Sequence, residues 1–221
     1  MRPNRFGVFE YPIAGKDREW PVVVGWILVM VSFVIPVAPL VPYLGYLVRV
    51  LAASSREDAT PPIRTDPVGL LTQGILGSVI VATYLLPPVL ALLVTVYGAS
   101  ERAGAVDVGF SDSLVLYAGS TVVLAVFLLA VFLVPIALAR YADDGFRAAF
   151  GARGIAPVAS HAAYFARWMA GTVALVLTAA FANVAVQVDR AGPVIASLVV
   201  AYGVVLAAHL WGVGVRLARE R

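Results

Sequence analysis

Long apolar stretches alternate with short polar ones from Trp20 onwards, and their lengths predict the architecture. Val68 to Tyr97, Leu114 to Ala139, Tyr164 to Val188 and Pro193 to Val215 carry a single formal charge among them, Arg167. A helix needs about 20 consecutive apolar residues to cross a hydrocarbon core, so each stretch predicts a full-length span. Trp20 to Leu51 is equally apolar, with Arg49 as its one charge, but Pro36, Pro39 and Pro42 interrupt it. A straight helix loses its hydrogen-bond ladder at such prolines, so this stretch predicts two short helices joined by a proline turn.

The polar intervals complete the outline. Residues 1–19 form a basic lead-in with an aromatic-proline patch (Phe6, Phe9, Tyr11, Pro12) suited to the headgroup level. Polar loops follow at 54–67 and 98–113. Residues 140–163 are too polar for lipid; Phe146 and Phe150 share a helical face there beside Arg147 and Arg153, the pattern of a short interfacial helix. Only Asp189 to Gly192 separates the last two spans, which predicts a tight antiparallel hairpin. The expected fold is an all-α polytopic membrane bundle forming one domain over 1–221, with four spans plus the amino-terminal hairpin, six segments in all.

Charge orients this outline. If the lead-in, the 52–67 loop, the 140–163 loop and the carboxyl tail share one side, that side holds 14 of the 16 basic residues, leaving Arg102 and Arg190 opposite. Basic residues mark the cytoplasmic side, so both termini are expected there and 20–51 must enter and return. Its 32 residues rise about 48 Å as helix, against about 60 Å for two crossings. The hairpin is therefore either re-entrant or built of two short helices, with Pro36, Pro39 and Pro42 at its turn near the far leaflet, sheltered by the longer helices.

Composition agrees with a membrane location and narrows the chemistry. The 221 residues are 61% hydrophobic and 13% charged, about half the charge of a soluble domain. The absence of cysteine removes disulfides, thiolate metal sites and thiol nucleophiles. The first residues lack the apolar core and cleavage site of a signal peptide. Two histidines far apart, with carboxylates confined to loops, predict no metal site and no cofactor. No HExxH, GxSxG or phosphate-cradling loop occurs, and GVGVRL at 212–217 lacks the third glycine of a dinucleotide loop. The arginines are spread along a membrane face, so nucleic acid is not an expected partner.

Three strings carry a family resemblance: GYLVRVLAASSREDATPPI (45–63), preceded by FEYP (9–12); ALARYADDGFRAAF (137–150); and AAHLWGVGVR (207–216). Together they resemble the membrane family known as domain of unknown function 4013, found largely in halophilic archaea. The resemblance implies a polytopic membrane protein without assigned activity, and so supplies no catalytic residues. Where an acidic-aromatic stretch is expected after the proline pair, this chain has RTDPVGLL.

Polar residues within spans are costly and often functional. Ala179, Asn183 and Gln187 line one face of the third long span, beside a small-residue stripe of Ala170, Ala174, Thr178 and Ala182. Either the amides bond across a close helix contact, or they mark a polar solute path. Gly74, Ser78 and Ala82 form a second small stripe. His209 either bonds a backbone carbonyl or titrates as a proton relay. Arg49 either snorkels to headgroup phosphates or pairs with a loop acid such as Asp143 or Asp144; Arg140, Arg147 and Arg216 are further headgroup candidates, whereas His161 is expected to be solvated.

These features predict a non-enzymatic multi-pass protein of the cell membrane. It would pack with membrane lipids, other membrane proteins or copies of itself. The proline-broken element and a loose threefold rhythm of Arg-bearing, Ala-rich helix ends also fit a small solute transporter or channel. An intramembrane enzyme would need a buried Tyr or Ser activated by His209.

Overall fold

In the first of two compact units, the helix that ends at Arg219 is the one against which the others pack. A computed structural model describes residues 8–13, 20–32, 35, 38–56, 66–103 and 110–220. The helices are α1 (Trp20–Ser32), α2 (Leu40–Ser55), α3 (Pro67–Ala103), α4 (Phe110–Asp144), α5 (Ala152–Ala159), α6 (Ala162–Val186) and α7 (Gly192–Arg219). Short 3-10 segments lie at Val8–Ile13 and Phe146–Phe150, and no strand occurs among the described residues. Four helical stretches are long and apolar enough to cross a membrane: Pro67–Tyr97, Ala118–Asp144, Ala162–Val186 and Gly192–Arg219. This is an all-helical membrane-type fold.

The long helices overrun the expected spans. α3 continues to Ala103 and α4 starts at Phe110, so most of the expected 98–113 loop is helix. Pro87 and Pro88 lie within α3. The expected 140–163 loop is also helical for the most part: α4 runs on to Asp144, followed by the second 3-10 segment and α5.

The chain divides into two compact units, Met1–Ser78 with Pro135–Arg221, and Val79–Val134. Within the second, α3 and α4 turn large apolar side chains outward, among them Leu86, Leu90, Val94, Val122, Val126 and Leu129. Thr83 and Thr95 donate their hydroxyls to carbonyls one turn back in the same helix. Their polarity is thus satisfied without a neighbour, as an apolar solvent requires.

Within the first unit, contacts fix the order of levels along α7. Trp26 Nε1 of α1 donates to Ser197 Oγ at 2.9 Å. Tyr43 of α2 donates to the Ala201 carbonyl at 3.1 Å. Farther along, Ser54 lies 2.8 Å from His209 Nδ1, and Tyr11 stacks on the same imidazole. From Tyr11 to Trp26 the chain therefore descends α7, and from Tyr43 to Ser54 it climbs back. The expected hairpin is present as two short antiparallel helices of about 20 and 24 Å.

Depth follows from the same contacts. Ser32 is six residues beyond Trp26, a rise of about 9 Å, which carries α1 to the level where α7 begins. The turn sits at the opposite end of α7 from Arg216 and Arg219. Of the three turn prolines, Pro36 lies outside the described residues. Pro39 caps the start of α2. Pro42, expected in the turn, is in the first helical turn of α2 instead, where a missing N–H costs no intrahelical bond.

Tyr11, Val29, Tyr43, Tyr46, Val50, Ala201, Val205 and Ala208 form the core of this unit. Against it, α2 meets the first turns of α3 at bare backbone. A methyl group on Gly45 would fall on the Leu70 carbonyl, and one on Gly74 would fall on the Val41 carbonyl. Gly74 of the second small stripe is thus a contact residue, whereas Ser78 bonds the Gly74 carbonyl of its own helix and Ala82 is exposed.

Candidate functional site

Three features of the first unit could carry function: a buried polar cluster, a ring of ion pairs and an apolar groove. The cluster joins Tyr11, Ser54 and His209, which are 3%, 1% and 6% exposed. Ser54 Oγ is 2.8 Å from His209 Nδ1 and 3.3 Å from the Tyr11 hydroxyl. The tyrosine ring lies on the imidazole at 3.6 Å between centroids and 14° between planes. Ser54 occupies the last turn of α2, whose small residues admit α7 closely, and the Val8–Ile13 turn places Tyr11 beside them. His209 Nδ1 thus meets a serine hydroxyl instead of the backbone carbonyl that was one of the two expectations for it.

A serine within hydrogen-bond reach of a histidine has the form of an activated nucleophile. Here the hydroxyl is buried, and its bonding fastens the Val8–Ile13 segment and α2 to α7. Tyr11 and Ser54 did not stand out in the sequence. The one signal for Ser54 was its place at the end of an apolar helix opposite a lone histidine. Tyr11, read there as a headgroup-level residue, is buried because its ring is the lid on His209.

The ion pairs gather at the Arg216 end of α7. Asp143 accepts from Arg56 at 2.6 and 2.9 Å through Oδ1 and from Arg219 at 2.7 Å through Oδ2, so one carboxylate joins the ends of α2, α4 and α7. The expected pairing of Arg49 with a loop acid is formed, with Asp66 in place of Asp143 or Asp144. Arg49 donates to Gln73 at 2.7 Å and lies 3.7 Å from Asp66, because its place on α2 faces the start of α3. Arg140 pairs with Asp144, and Arg216 with Glu220. Of the four headgroup candidates, Arg49, Arg140 and Arg216 therefore have carboxylate partners, while Arg147 is exposed on the second 3-10 segment. There Phe146 and Phe150 meet edge to face at 5.4 Å between centroids, both partly exposed, as an interfacial segment requires.

The polar candidates of α6 are not brought to the α7 contact. Asn183 and Gln187 are exposed, and the Gln187 amide donates to the Asn183 carbonyl of its own helix. α6 and α7 are antiparallel, with Trp211 Nε1 donating to the Trp168 carbonyl at 3.1 Å and Gly203 against Thr178. The amides therefore lie toward the opposite end of α7 from His209, and the three polar candidates share no site. The small stripe does lie at this contact through Thr178 and Ala182. His161, expected to be solvated, caps α6 by accepting from the Ala163 amide at 3.2 Å.

Between α6 and α7 lies a groove of about 840 Å³. Ala170, Ala174, Thr178 and Gly203 line it, with Val22 of α1, and among the described residues Arg167 is its only charged lining residue. The grouping of these residues was hidden in the sequence because it needs the α6–α7 register.

Among the described residues no group of three histidines or carboxylates is placed to hold a metal ion. A family model described as a protein of unknown function, DUF4013, matches residues 28–188, well over half of the chain. Neither a curated protein nor a solved structure matches.

Proposed function

Since the chain belongs to the DUF4013 family, whose function is unknown, its role has to be argued from its own surfaces, and we propose a non-enzymatic component of the cell membrane that packs with lipids and with partner membrane proteins. The supporting observation is the outer face of α6. Phe165, Met169, Val173, Val176, Phe181 and Val184 are all exposed there, while the threonines and the Gln187 amide spend their polarity on their own helix. Such a face is built for lipid or for another apolar helix. Both termini are assigned to the cytoplasm by the basic count, which puts the Arg56–Asp143–Arg219 cluster at the anionic leaflet.

A photoreactive amino acid at Val176, activated in native membranes, is expected to capture lipid and a discrete set of membrane proteins. Reconstituted alone, the protein should leave vesicles sealed to small solutes. A solute flux abolished by Asn183→Ala or His209→Ala would overturn the proposal in favour of transport.

A further inference from the structure

The groove between α6 and α7 has the shape and charge of a site for a single amphiphile. Its α6 wall runs from Arg167 to Phe181, a rise of about 21 Å, more than the depth of one leaflet, about 15 Å. An extended chain of methylenes can lie along such an apolar channel. Val173, Leu177 and Phe181 are exposed, so the groove opens sideways to the bilayer.

Its charge is confined to one end, and Thr178 and Tyr202 are the other polar residues among its described lining. The Thr178 hydroxyl donates to the Ala174 carbonyl and is spent. Arg167 sits beside Gly214, two residues from Arg216, near the end of α7 that bears the ion pairs. Arg49, Arg56, Arg140, Arg216 and Arg219 each have a carboxylate partner, whereas among the described residues none reaches Arg167. A partly buried guanidinium without an acid, at headgroup depth, calls for an anion, and its planar fork suits phosphate.

We propose that this groove binds one anionic phospholipid of the surrounding bilayer, with an acyl chain along α6 and α7 and the phosphate against Arg167. The proposal deepens the lipid-packing role argued above and rests on it.

Native mass spectrometry of the detergent-purified full chain tests it, with dioleoyl phosphatidylglycerol and dioleoyl phosphatidylcholine offered equally. The wild type should retain one phosphatidylglycerol in about fivefold preference, the effect of one arginine near a headgroup. Arg167→Gln should abolish the preference, and Arg167→Lys should restore part of it. Val173→Trp, at a position open to lipid, should fill the groove and lower retention of both lipids. Equal retention of the two lipids by the wild type, an unchanged preference in Arg167→Gln, or unchanged retention in Val173→Trp would each overturn the site. So would a dimer peak that Val173→Trp removes, since a second copy would then be the occupant. Lipid capture at Val176 that persists beside any of these results would leave the broader packing role standing, so the two failures are distinguishable.

Discussion

His209 shows at residue scale how a polar side chain survives in an apolar bundle. Its Nδ1 has a hydroxyl partner and its ring face a tyrosine, so that nitrogen is not buried without a hydrogen bond. Ser54→Ala should destabilise the protein by about 1–3 kcal/mol, because the imidazole nitrogen is left without its partner. Thermal unfolding in detergent measures this, and an unchanged midpoint would contradict the clasp. Sequence made the histidine visible as an oddity in an apolar run. Its partners come from positions 155 and 198 residues earlier, and nothing local marks such pairing. Arg49 illustrates the same limit: the charge was legible, but its partner depended on which helix faced α2.

At the scale of elements, the hairpin and the four spans were legible because apolar length and proline position act locally. Helix ends were less so, since polar residues at 98–103 and 140–144 continue helices as readily as they leave them. Two contacts between elements are open to test. Gly45→Ala places a methyl group on the Leu70 carbonyl, and the shift of α2 from α3 should cost about 1–3 kcal/mol. Retention of the wild-type melting point would show that α2 does not approach so closely. Asp143→Asn weakens the joint of α2, α4 and α7. The expected loss is about 1–2 kcal/mol, given the partial exposure of its arginines, and it should shrink in high salt. A loss insensitive to salt would assign Asp143 a packing role instead.

At the scale of the whole molecule the basic count predicts which ends share the cytoplasmic side, while contacts order only the first unit along α7. Ser160 is exposed just before α6, and Arg190 is exposed in the turn before α7, at the opposite ends of α6. In this cysteine-free chain, Arg190→Cys should react with an impermeant thiol reagent added to intact cells, and Ser160→Cys should not. The reverse pattern would invert the topology and move the arginine cluster to the outer leaflet. Ser54, being sealed, is unsuited to such labelling.

The Tyr11–Ser54–His209 clasp also bears on how the protein is made. The histidine that anchors Tyr11 and Ser54 belongs to α7, which leaves the ribosome after the other described helices. Until α7 has entered the bilayer, the first two helices have neither their polar anchors nor the apolar wall they line. A nascent chain halted before Gly192 should therefore expose the Val8–Ile13 segment to protease, and protection should arrive only with α7. Synthesis runs from the first residue to the last, but consolidation runs the other way.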